Sequence, residues 1–298
     1  MLFFCLAAGY LLRRWRVVPT DGYKTINIWV IYIGLPATAF KYLPTLVWSP
    51  EILIPILGPL LIFMGAIVFI KLLNYFVKFS KRTSHSLMLL AGLSNTSFVG
   101  FPLVINYFGE SQLKWAIIAD QMTFFLLSTL GLVIALKGGL GSKKKLTARY
   151  IAKRVFSFPP LLACLAALLI PRYIDITALN PFFTQLASTV SPLALFSVGM
   201  QLTFVFYKAE LFAMLASIGY KLILGPILLL ILFYSLGWKG DAVQVTAFEM
   251  AMPCLVSTSV LLQEFRLNSR LGNAIIGMSI LVGLLSSFGI YILIGVLL

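Results

Sequence analysis

The sequence predicts an all-α integral membrane protein of ten transmembrane helices, arranged as two inverted five-helix repeats whose fourth and ninth helices are broken. Three observations predict it. Of the 298 residues, 60% are hydrophobic and 11% charged, with a mean hydropathy of +1.01; a soluble domain of this length cannot hide that much apolar surface. Basic residues fall almost wholly on one side of a ten-span topology. Two short polar or small-residue interruptions, SNTSFVG before Pro102 and EMAM before Pro253, cut otherwise continuous apolar runs.

About 20 apolar residues span a bilayer, and charge-poor stretches of that order recur along the chain. The first, 1–12, rises only about 18 Å against a hydrocarbon core of about 30 Å, so it either begins upstream or enters tilted and partial. A signal peptide fits it poorly, because Arg13, Arg14 and Arg16 follow the apolar stretch instead of preceding it. The second and third spans, 22–42 and 51–72, lead into the fourth, 84–108, which is uncharged from Ser86 to Gly109 and holds the first interruption. A fifth span, 113–136, closes the first repeat at 1–136. The loop 137–154 carries Lys143, Lys144, Lys145, Arg149, Lys153 and Arg154, and reads as an amphipathic segment against anionic lipid at the inner leaflet. The second repeat, 155–298, follows with spans 155–171, 180–206, 211–236, 242–263 and 271–297, the fourth of these holding the second interruption.

If loops alternate sides, 18 of the 23 basic residues share one face, while Lys41, Lys114, Arg172 and Lys239 lie on the other and Lys221 sits inside the eighth span near the basic face. The rich face is then cytoplasmic, both termini lie outside, and the expected location is the cytoplasmic membrane. Placed this way, the net charge of +14 is an orientation signal and gives no reason to expect nucleic acid as a partner. Cys5, Cys164 and Cys254 lack metal-like spacing, and neither a disulfide nor a zinc site is expected. The lone His85 has no catalytic partner in sequence, and no phosphate loop, nucleophile elbow or zinc helix appears, so no enzyme and no cofactor are expected.

Internal repetition organises the spans. Pro36 opens PATAF and Pro192 opens PLALF, 156 positions apart; Pro102 and Pro253 are separated by 151, and Ala116 and Ala274, each opening Ala-Ile-Ile, by 158. Such nearly constant offsets argue for duplication. Five helices per repeat make the second repeat enter from the opposite side, an inversion that supports alternating access.

The interruptions are where chemistry is expected. Proline removes a backbone N–H and clashes with the preceding turn, and unwound backbone at membrane depth must be packed in protein or line a cavity. Asn95, Thr96 and Ser97 offer neutral donors, and the helix restarting after them presents free N–H groups and a positive dipole end, a setting for a carboxylate. No basic residue lies in either interruption, which favours a small carboxylate over a polyvalent anion. Cys254, Ser257 and Thr258 supply the second wall; free carbonyls there could instead coordinate sodium, and the two hydroxyls could simply bond back to helix carbonyls. Asp120, beside Gln121, and Glu249, four residues before Pro253, are acidic groups inside spans and candidate carriers of a coupling proton or sodium ion.

At these residues the chain resembles the auxin efflux carrier family, which takes in plant auxin carriers and bacterial malate or malonate permease-like proteins. SNTSFVGFPL at 94–103 looks like the family's Asn-Thr-x-x-x-Gly-x-Pro-Leu signature. TINIWVIYIGLPATAF at 25–40, SPLALFSVGMQL at 191–202 and AMPCLVSTSVLLQEF at 251–265 are similar to its second-, seventh- and ninth-helix patterns. The resemblance implies a fold like that of bile-acid/sodium symporters, with scaffold and crossover domains each drawn from both repeats, an elevator-like step and a homodimer. It further implies that Asn95, Pro102 and Pro253 form the crossover, and Asp120 falls where many members carry an aspartate. Ser94 and Ser97 depart from positions that are often glycine in the family, and would stiffen the first break.

The expected function is therefore secondary transport of a small organic anion, malate-, malonate- or auxin-like, by alternating access. A sodium-coupled symporter of the bile-acid type and a membrane ligand sensor without net transport are the alternatives. The sensor would be expected to carry a soluble signalling domain, and a channel would show a continuous polar lining.

Overall fold

The structure, a computed structural model, describes residues 1–19, 21–139, 147–202 and 210–298. Lys143, Lys144, Lys145 and Lys208 of the basic face lie outside the described residues. Within them the fold is all helical: α1 (Leu2–Arg14), α2 (Tyr23–Thr45), α3 (Pro50–Val77), α4 (Lys81–Gly92), α5 (Thr96–Phe108), α6 (Glu110–Gly138), α7 (Ala148–Phe156), α8 (Pro159–Arg172), α9 (Thr177–Gln201), α10 (Leu211–Ser235), α11 (Asp241–Met250), α12 (Thr258–Glu264) and α13 (Ser269–Leu297). Among the described residues, six helices (α2, α3, α6, α9, α10 and α13) are long and apolar enough to cross a membrane. A seventh span results if α7 and α8, bent by 68° at their junction, are taken together.

The fourth and ninth predicted spans are broken as expected, into α4 and α5 and into α11 and α12. The first break falls in SNTSFVG as expected, but the role given to Pro102 is a correction. The chain leaves the helix at Leu93–Asn95, and Pro102 stands seven residues further on, in the first turn of the α-helical part of α5. At that position a missing N–H is tolerated. The intervening residues Thr96–Gly100 form a wide π turn, with Gly100 N–H donating to Asn95 O at 3.1 Å. Long-range backbone pairing, not the proline, pulls the chain out of helix. The second predicted repeat begins at 155, but α7 runs from Ala148 through Phe156, and the bend into α8 follows it. Arg149 and Lys153 are exposed on α7 while Val155 is buried, the amphipathic pattern expected of this segment.

Packing sorts the helices into two groups. In one, α1 lies along α9, and α2 packs on α8 and α9; a Cβ on Gly199 would run into the Leu6 carbonyl, so this close approach of α1 to α9 requires glycine. In the other, α3 packs on α4, α6 and α11, and α13 on α4, α10 and α11. The start of α5 meets α9 across the divide between the groups.

Candidate functional site

The two breaks meet. Ser94 and Cys254 form an antiparallel bridge; Asn95 N–H donates to Pro253 O at 2.8 Å, and Leu255 N–H donates to Leu93 O at 2.9 Å. Cys254 N–H donates in turn to Ser279 Oγ of α13 at 3.1 Å. Each break thus satisfies backbone groups of the other where water cannot, which is the condition for irregular backbone inside a bilayer. Pro253 can only accept at this crossing, and its carbonyl does so.

Lys221, at the π segment of α10, reaches into the crossing. It is fully buried, and its Nζ donates to Ser94 Oγ at 2.6 Å and to Met250 O at 2.7 Å. This corrects the expectation that no basic group occupies the breaks: a lysine from a third helix joins both of them. The neighbouring Glu249 is fully buried too, with no hydrogen-bond partner for either carboxylate oxygen, and it is packed so closely on Gly100 that a Cβ there would collide with it.

Beside the crossing, Thr96 Oγ1 donates to Asp120 Oδ1 at 2.6 Å, and Gln121 Nε2 donates to Asp120 Oδ2 at 3.2 Å. Asp120, Asn95, Ser97 and Ser257 share the wall of a small cavity of about 60 Å³. The Asn95 side chain is fully buried and neither its amide nitrogen nor its oxygen has a partner. A buried amide without partners is costly unless something else meets it. The opposite wall comes from the other helix group, through Asn27 of α2 and Gln201 of α9. Ser197 links these two, donating to Asn27 Oδ1 and accepting from Gln201 Nε2 at 3.2 Å. Phe124 and Phe158, stacked with centroids 3.3 Å apart, line the cavity as well. A second cleft shares Gln201 and Val256 with it and continues to Arg13.

Of the residues expected from sequence, the structure gathers Asn95, Ser97, Asp120 and Ser257 around one cavity. Thr96 acts on it through Asp120. Pro102, Pro253, Cys254, Thr258 and Glu249 are outside the cavity wall: the first four shape the breaks, and Glu249 faces Gly100 and the Lys221 side. Thr258 is buried and its hydroxyl makes no bond back to a helix carbonyl. Sequence reasoning missed Asn27, Gln201 and the reach of Lys221. The signal for Asn27 was present, since it is the one amide in α2; Gln201 shares α9 with Asn180 and Gln185.

A family model described as membrane transport protein matches residues 1–291. An uncharacterized transporter of Methanocaldococcus jannaschii is 29% identical over 88% of this chain and 87% of its own length. One from Methanothermobacter thermautotrophicus is 28% identical over 93% and 91%, and the uncharacterized transporter YfdV of Escherichia coli is 25% identical over 92% and 89%. The chain belongs to this membrane transport protein family, and the resemblance to auxin efflux carriers is borne out.

Proposed function

We propose that this member of the membrane transport protein family carries a small organic anion of the carboxylate class across the cytoplasmic membrane by elevator-type alternating access. The observation that carries the reading is the Asn95 side chain, fully buried and unpartnered, at a cavity beside the crossing of two broken helices. Paired broken helices are where transporters bind substrate. Asn95, Ser97 and Ser257, with the N-terminal end of α5, hold the carboxylate. Lys221 is spent on Ser94 and Met250 and is not in the cavity wall, so the donors facing substrate are neutral, which suits a small monovalent group.

Coupling follows from Asp120. An anion entering a cavity walled by that carboxyl meets like charge unless the carboxyl holds a proton, so anion and proton are carried together, with Gln121 orienting the group and Glu249 as the second acidic member. The split into two helix groups with the cavity between them supports one group moving against the other. Counting α1, the α7–α8 pair and the two broken spans with the six long helices gives ten spans, in the same order in each half, as an inverted repeat requires. Basic loops face the cytoplasm, both termini face outward, the homodimer is the assembly, and lipids are the surrounding partner.

The test is uptake into proteoliposomes of labelled malate, malonate, acetate and indole-3-acetate under imposed pH, sodium or potential gradients. Saturable flux of one anion that follows the proton gradient and disappears in Asn95→Ala supports the proposal. Binding without flux under every gradient overturns it in favour of a sensor.

A further inference from the structure

Lys221 has no place in substrate binding, yet it is buried at the crossing and bonded to both breaks. It is 0% exposed. It bonds a hydroxyl of the first break, Ser94 Oγ, and a carbonyl at the second, Met250 O. Glu249 directly precedes Met250, whose carbonyl takes the ammonium, and has both oxygens unpartnered. A hydroxyl, a peptide carbonyl freed by a helix end and a carboxylate are the oxygen donors that a small hard cation collects. The same set also needs a positive charge, because an isolated carboxylate in this interior is costly.

We infer that the Lys221 ammonium is a built-in substitute for a mobile coupling cation, holding both breaks together permanently where a sodium ion would otherwise have to bind. The ammonium donates to the oxygens that sodium would coordinate, and it supplies the charge that balances Glu249. Because the cation is tethered by its own side chain, the crossing stays assembled through the cycle and sodium contributes nothing to it. This deepens the transport reading, on which it rests, by removing sodium from the coupling. Lys221 is a positioning residue, acting on the cavity through Ser94 and the neighbouring Asn95.

The test reads thermal stability of the full chain in detergent, in sodium, potassium or choline chloride at matched ionic strength, and so needs no substrate. The wild type is expected to melt at the same temperature in all three salts. Lys221→Ala, which empties the position, is expected to melt lower in choline and to gain about 5 °C, saturably, in sodium. Lys221→Ala combined with Glu249→Gln, which removes the charge demand, is expected to fold and to lose that sodium response. Saturable sodium stabilisation of the wild type overturns the inference, as does a folded Lys221→Ala that ignores the cation. Failure of both variants to fold in every salt also overturns it, because then the lysine is not replaceable by charge. Loss of transport in the uptake assay with these melting results intact would remove the transport reading and leave the tethered cation standing.

Discussion

Thr96 Oγ1 and Asp120 Oδ1 are 2.6 Å apart, and this hydrogen bond joins the restart of the first broken span to the middle of α6. The hydroxyl is the closest donor to the carboxyl and comes from the break itself. Thr96→Val keeps the shape but removes the donor, and a lost bond to a charged group costs about 1.5–3 kcal/mol. A lowered melting temperature with retained monodispersity is the expected result of that exchange. In transport, Asp120→Asn is expected to leave flux that no longer responds to a pH gradient; unchanged pH response would remove Asp120 from coupling.

Asn95 offers a cleaner substitution, because its side chain has no partner to lose. Asn95→Ala should therefore fold normally and weaken anion binding by about 10- to 100-fold, the loss of one hydrogen bond to a charged ligand. Binding isotherms for the transported anion check it, with a melting curve as the control for folding.

Gly100 tests the seating of α5 on α11. A methyl group there meets the Glu249 carboxylate, and overpacking of this kind costs about 1–3 kcal/mol. Gly100→Ala should melt lower than the wild type, and Glu249→Ala in the same chain should recover much of the loss. Additive losses in the double variant would show that the two residues do not touch.

Cysteine labelling reads the cavity directly. Ser257 is exposed at the cavity and Thr258 beside it is fully buried. In a background with Cys5, Cys164 and Cys254 replaced by alanine or serine, Ser257→Cys should react with a membrane-impermeant maleimide added from the basic side and be protected by the transported anion. Thr258→Cys should remain unlabelled, and equal reactivity at the two positions would contradict the geometry.

The two breaks were legible in the sequence because proline and polar residues stand out in runs of about 20 apolar residues. Asn95, Ser97, Asp120 and Ser257 were legible for the same reason, and they do share a cavity. The Leu93–Asn95 break was credited to Pro102, whereas the chain is held out of helix there by a hydrogen bond to Pro253 on a distant segment. Lys221 read as a lysine near the basic face because a long side chain usually carries its charge outward; only the crossing shows that it turns inward. Asn27 and Gln201 went unremarked until Ser197 brought them together.

The pairing of the breaks also bears on how the protein is made. The Asn95 N–H and Leu93 carbonyl find their partners on Pro253 and Leu255, about 160 residues downstream. During synthesis, the first half therefore enters the lipid with two backbone groups unanswered, and they stay so until the last third of the chain has been inserted. Hydrocarbon penalises such groups by several kcal/mol each. Assembly is thus pulled toward completion by a segment of its first half, and a chain cut short at the end of α11 is left with a defect at its centre instead of a smaller working unit.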